Sequence, residues 1–368
     1  MNVKTAAAIF ALGISLGFGA ASIGFGLFER VDLALKAEHL RARAAAALDF
    51  AFDAGLRAAK LEHIVAPAPY FPSGSIWTRD VSHAPLDPNS ATMIAALAGA
   101  GGWGYGRMQV DLSLRVLKAG ADTPYVPFRK GAGFYAADSD NPSTIPLPIG
   151  GGIEGETSYH CNTDERDCHL IVVDRDRGEL WEAYQANYAN GGLSANFVAV
   201  WDLKRVYPPS GRGDQCTSAD AAGFPIAPLL FNADELAAGS IDHTLRFILP
   251  NARMRAKVFV HPATHAGAPG GPASAPPMGA HFRLKASYDI SQLKPAARVV
   301  ARALQKYGMF LADGGNITLT AQSDQDTVAK YADVDFGVHD LQALKVTDFE
   351  VVDGGRPIPL TDACVRNR

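Results

Sequence analysis

From His169 onward the chain is a succession of strand-period runs: His169–Asp174, Glu179–Tyr184, Phe197–Leu203, Thr244–Leu249, Val258–Pro262 and Gly279–Tyr288. One helical pattern follows, Lys294 to Leu311, with Ala297, Val300, Ala301, Leu304 and Tyr307 on one face and Gly308 near its end; a strand at Ile317–Ala321 comes next. Strands that outnumber helices and lack crossover helices between them predict a mainly β (α+β) fold, an antiparallel barrel or sandwich carrying one packed helix. With 48% hydrophobic and 20% charged residues over 368 positions, the chain has the material for a real core. No internal repeat is visible.

The most polar of these runs is Met278 to Ser291. Strict alternation puts His281, Arg283, Lys285 and Ser287 on one face and Phe282, Leu284 and Ala286 on the other. A cationic strand face is either solvated surface or the wall of a site for something anionic or oxygen-rich. The segment before it, Ala266 to Pro277, is a Pro/Gly/Ala loop of the length that forms a lid or a disordered spacer.

The N-terminal half has a different character. Lys4 is followed by 24 uncharged residues, Thr5 to Phe28, which as a helix span roughly 36 Å at about 1.5 Å per residue. Residues 1–28 therefore read as a signal peptide or a transmembrane anchor, with the body exported to the periplasm or beyond and, if anchored, held at the inner membrane. Residues 29–65 carry Val31, Leu33, Leu35, Leu40, Leu48 and Leu56 at helical spacing, an amphipathic arm following the anchor. Residues 66–150 are Pro/Gly-rich, with a short helix at Asn89–Ala100 that ends in a flexible, Gly-rich aromatic loop at Gly101–Gly106. Residues 151–368 form the β-rich domain. Export implies oxidising conditions: Cys161 and Cys168 bracket six hydrophilic residues and suit a local disulfide, leaving Cys216 and Cys364 as the other pair, one of three connectivities. Zinc is the rival, but no CxxC pair is present.

Several segments carry chemistry. The hairpin His169–Tyr184 brings Asp174, Glu179 and Glu182 into one neighbourhood, and Asp174 with Glu182 is the acid and base pair that glycoside hydrolysis needs. Trp181 and Tyr184 offer faces for sugar rings. His243 and His265 are the alternative proton-transfer pair, and Arg283 with Lys285 would neutralise a uronate carboxylate in a lyase. His261 and His265 are four apart, but Pro262 interrupts the helix that metal ligation at that spacing needs, so no metal or other cofactor is assigned. A formal net charge of -4 with scattered Lys and Arg gives no nucleic-acid footprint, and no GxSxG, P-loop or strand-linked GxGxxG is present.

The blocks Ile153-Glu-Gly155, His169–Asp174, Leu180–Tyr184, Thr217–Ile226, Ile241–Phe247, Pro262–His265, Pro276–Ser287 and Ala303–Met309 resemble a family of uncharacterised secreted bacterial proteins, some joined to carbohydrate-binding modules. In that family the residue before the first histidine is commonly Arg where this chain has Cys168, and an Asp-Asn-Gly tract after the helix is here Asp313-Gly-Gly-Asn316. The resemblance implies work on polysaccharide. The expectation is an exported carbohydrate-active enzyme acting by hydrolysis or β-elimination; the alternative is a non-catalytic envelope module that binds glycan or protein.

Overall fold

The computed structural model describes residues 63–162 and 167–367, together with residues 36, 38–40, 42–44, 46, 47 and 61. Segment 1–28, read as signal peptide or anchor, lies outside the described residues, as does most of the 29–65 arm; the described residues between 36 and 47 are helical and exposed. Among the described residues no helix is long and apolar enough to cross a membrane. Ile64–Arg368 forms one compact unit.

Sixteen strands are present among the described residues: β1 (Val110–Leu114), β2 (Leu117–Lys118), β3 (Tyr125–Lys130), β4 (Thr144–Pro146), β5 (Leu170–Asp174), β6 (Glu179–Tyr184), β7 (Asn187–Ala189) and β8 (Gly192–Ala195) in the first half. β9 (Phe197–Asp202), β10 (Leu245–Leu249), β11 (Val258–Phe259), β12 (His281–Leu284), β13 (Met309–Gly314), β14 (Leu319–Gln322), β15 (Phe349–Val352) and β16 (Ile358–Pro359) follow. The helices are α1 (Ser90–Gly99), α2 (Ala233–Ala238) and α3 (Pro295–Lys306).

The strands form a six-stranded sheet in the order β1-β14-β10-β13-β12-β15, two four-stranded sheets, β2-β5-β6-β9 and β4-β3-β8-β7, and the small pair β11-β16. Among the described residues none closes into a barrel; the two four-stranded sheets share one core, including Leu117, Ile145, Leu170, Val172, Trp181, Leu193 and Val198, in a sandwich-like arrangement. The mainly β, α+β expectation holds, while the pairing is more mixed than expected: β1–β14, β2–β5, β3–β8 and β10–β13 are parallel. β10 reaches β13 through a long connection that includes α3, and α3 packs on β12 with Ala297, Val300, Ala301 and Leu304 buried.

The hairpin β5–β6 turns where Asp174 caps it: its Oδ1 accepts the Arg177 N–H at 2.9 Å and its carbonyl accepts Gly178 N–H at 2.9 Å, with Gly178 at φ 75°, the left-handed region glycine favours. Only Arg115 and Val116 separate β1 from β2, so the chain steps from the six-stranded sheet to the four-stranded one there, and buried Arg115 fixes the step through Asp326 at 2.9 and 3.0 Å. Two local expectations change. Trp103, in the Gly-rich loop read as flexible, is buried with its indole N–H on Leu344 O at 2.8 Å. The Ala266–Pro277 segment is pinned rather than free: Gly270 N–H bonds Asn251 O and Gly271 N–H bonds Met254 O, at 2.8 and 2.7 Å.

Both disulfides favoured by the cysteine spacing are formed, Cys161–Cys168 and Cys216–Cys364, consistent with an oxidising, exported compartment.

Candidate functional site

His169 stands one residue before β5, whose Leu170 pairs with Ala183, so continuing the register places His169 opposite Tyr184, and Tyr184 pairs in turn with Phe197 of β9. These three share one face at the end of the sheet; the His169 and Tyr184 rings are 5.6 Å apart, and Tyr135 closes on Phe197 at 6.3 Å. The Cys161–Cys168 disulfide anchors the entry to β5 and so places Asp167 beside this face. Facing it is the segment Thr217–Ala221, which begins next to the other disulfide at Cys216. β13 brings Asp313, and the chain after β11 brings His265 and Gly267. Together these walls enclose a cavity of about 180 Å³ lined by Tyr135, Asp167, Tyr184, Thr217, His265 and Asp313 among others.

Beneath the cavity lie two buried cationic centres. Arg246 of β10 donates through Nε and Nη2 to Asp220 Oδ2 at 3.0 and 2.6 Å and through Nη1 to Thr320 Oγ1 at 3.1 Å, and its Nη2 lies 3.7 Å from Asp313 Oδ2. His169 has Nδ1 at 2.7 Å from Glu154 Oε2 and Nε2 at 2.9 Å from Ala219 O. Burial pushes the Asp220 carboxyl up to about 7 against the pull of Arg246. Burial opposes the charged form of His169 as well, but Glu154 outweighs it and raises the imidazole to about 9.

The two carboxylates that line the cavity sit in unlike surroundings. Burial raises Asp167, with the nearby carboxylates Glu154 and Asp313 adding to the shift and His169 opposing it. Asp313 accepts Ala221 N–H at 3.3 Å and lies against Arg246. The Tyr184 hydroxyl is pushed up to about 12, chiefly by burial and then by the Asp167 charge. His265 donates Nδ1–H to Ala221 O, 2.9 Å away, and its Nε2 lies 3.7 Å from Asp362 Oδ1.

Of the residues expected from sequence, Tyr184 and His265 line this cavity and the others lie elsewhere. Asp174 pairs with Glu179, and Glu182 stands three residues further along β6, so Asp174 and Glu182 project from opposite faces of the sheet. Asp174 shapes its turn. Glu182 is wholly buried and accepts Ile226 N–H, Ala227 N–H and Trp201 Nε1–H at 2.7, 2.9 and 3.0 Å. Trp181 is on the Asp174 face, in the sandwich core, with its N–H on Glu179 at 3.2 Å. His243 is buried between Glu235 Oε1 and Thr244 O at 3.0 and 2.9 Å, tying β10 to the capping box of α2.

The cationic face of β12 is not a wall of the site. Arg283 is buried and holds Glu350 at 2.6 and 2.8 Å, with further bonds to Val81 O and Ala84 O. Lys285 donates to Thr347 O at 2.7 Å, and His281 meets Tyr307 O at 2.8 Å, its imidazole lowered to about 4 by burial. The polar side chains of β12 serve as ties between segments.

Asp167, Asp313, Tyr135 and Thr217 were missed as site residues. Their signal was present but weak: Asp167 and His169 flank Cys168, Thr217 follows Cys216, and Asp313 opens the polar tract Asp313-Gly-Gly-Asn316. Two larger hollows, of about 340 and 330 Å³, lie around Arg255 and around Tyr70, and neither gathers a comparable set of buried ionisable groups. Among the described residues no three His, Cys, Asp or Glu side chains are grouped to hold a metal ion. No family model, curated protein or solved structure matches the chain.

Proposed function

We propose that the protein is an exported glycan hydrolase, with Asp167 as the general acid and Asp313 as the second carboxylate at the reacting carbon. The observation that carries this reading is one cavity lined by two carboxylates in opposed environments, Asp167 raised by burial and Asp313 held against a buried guanidinium. Glycoside hydrolysis needs that division: a protonated carboxyl gives its proton to the leaving oxygen, while an ionised one attacks the oxocarbenium-like carbon or activates a water toward it. Tyr135 and Tyr184 offer ring faces to the sugar, and His265 adds a polar imidazole to the cavity wall.

The same electrostatics favour hydrolysis of a neutral glycan over elimination from a uronate. Elimination needs a free cation on the uronate carboxylate; Arg246, the guanidinium beside the cavity, is engaged by Asp220 and Asp313, while Arg283 and Lys285 are tied elsewhere. The test is a panel of neutral and acidic polysaccharides, scored for new reducing ends and for the absorbance of unsaturated uronates. Reducing ends without that absorbance are expected, with Asp167→Asn and Asp313→Asn each lowering the rate on the order of 10²–10⁴-fold. Unsaturated products, cleavage undiminished by both substitutions, or binding without cleavage would overturn it, the last in favour of a glycan-binding module.

A further inference from the structure

His169 takes no part in the steps just described, yet both of its ring nitrogens are engaged beneath the cavity. It is buried, its Nε2 faces a backbone carbonyl that can only accept, and its Nδ1 faces a carboxylate that accepts when ionised. A neutral imidazole has one N–H and would leave one of these contacts without a hydrogen; the imidazolium satisfies both. Glu154 is fixed in turn: its Oε2 also accepts the His169 backbone N–H and its Oε1 the Ser113 hydroxyl, both at 3.3 Å. The cation thus created lies under the Tyr184 ring and two residues from Asp167.

We propose that His169 is a positioning residue of this site: held as an imidazolium between Glu154 and the Ala219 carbonyl, it seats Tyr184 and its fixed positive charge governs the protonation of Asp167. The proposal rests on the reading of Asp167 as the acid. The groups that face His169 are Glu154, Asp167 and Glu182, with Tyr184 against its ring and Arg246 beside Glu154. Glu154 matches the cation closely, with its own carboxyl drawn down to about 2 by His169 although burial opposes this. Burial, with the Glu154 and Asp313 carboxylates, raises the Asp167 carboxyl, while the imidazolium and the Arg246 guanidinium lower it. Without the cation, Asp167 would hold its proton to higher pH.

The experiment is side-chain NMR of the whole protein, independent of any substrate. In the parent, both ring nitrogens of His169 carry protons at neutral pH; Glu154→Gln converts the ring to a neutral tautomer in that range. Titration of the Asp167 carboxyl carbon moves to higher pH by about one unit in His169→Gln, and any glycan cleavage shows its alkaline limb displaced the same way. A neutral His169 in the parent, or an unmoved Asp167 titration in His169→Gln, overturns the proposal even if cleavage is confirmed. Should Asp167→Asn cleave normally, the hydrolase reading fails while the NMR outcome still decides the charge on His169. If His169→Gln does not fold, the parent spectrum and Glu154→Gln carry the test.

Discussion

Glu182 has no exposed surface, and its two oxygens accept three N–H groups, two from the chain at Ile226–Ala227 and one from Trp201. It joins the sheet containing β6 to the chain leading toward α2. Replacing it by alanine strands three buried donors, each costing about 1–3 kcal/mol, so Glu182→Ala should lose roughly 3–5 kcal/mol in urea unfolding at mildly acidic pH. The pH dependence has a definite sign. Burial raises the Glu182 carboxyl from 4.5 to about 7, so the folded state holds this proton more tightly than the unfolded chain does. The stability from that proton is fully present below about 4.5 and lost as pH rises through about 7. The gap between parent and Glu182→Ala should therefore narrow in alkaline solution, while the folded fraction keeps its specific activity. Lost activity at undiminished stability would return Glu182 to the chemistry.

The strands were legible in the sequence because alternation and β-branched runs are local: β5, β6, β9 and β10 fall within a residue or two of the runs that announced them. Their pairing was not, because parallel contacts such as Val110 with Leu319 or Arg246 with Phe310 join residues far apart in sequence, and nothing local selects them. The hairpin shows where local reasoning stopped short. It brought Asp174 and Glu182 together along the chain, but three residues separate Glu182 from the partner of Asp174, and an odd separation sends the two carboxylates to opposite faces. The join between α3 and β13 is equally specific. Gly308 has φ 66°, and a Cβ there would lie 2.5 Å from the Phe282 carbonyl oxygen. Gly308→Ala must strain its backbone and push β12 away, so a thermal or urea measurement should find it destabilised by more than about 1 kcal/mol. A neutral effect would mean that β12 and β13 are not joined this tightly.

At the scale of the whole molecule, the two disulfides have different tasks because they close loops of different length. Cys216–Cys364 spans a sequence separation of 148 and Cys161–Cys168 a separation of 7. Loop-closure entropy assigns the long bridge about 5 kcal/mol and the short one about 2.5 kcal/mol. The long bridge also fastens a C-terminal strap. Thr361 N–H bonds Gln215 at 2.8 Å, Arg366 bonds Asp140 at 2.8 Å, and Asn367 N–H bonds Arg212 O at 2.7 Å. The short bridge instead fixes its immediate neighbours, Asp167 on the cavity wall and His169 beneath it. These positions explain why the site was hard to read from sequence: its carboxylates come from a loop before β5 and from the far end of β13, and cross-links and sheet order bring them together. Serine replacement of Cys216 and Cys364 should therefore cost the larger share of stability in urea unfolding. Serine replacement of Cys161 and Cys168 should cost less stability but disturb the Asp167 titration and any cleavage more. The reverse ranking in unfolding would show that the strap holds without its bridge, and an unchanged Asp167 titration would show that the short bridge does not set the site.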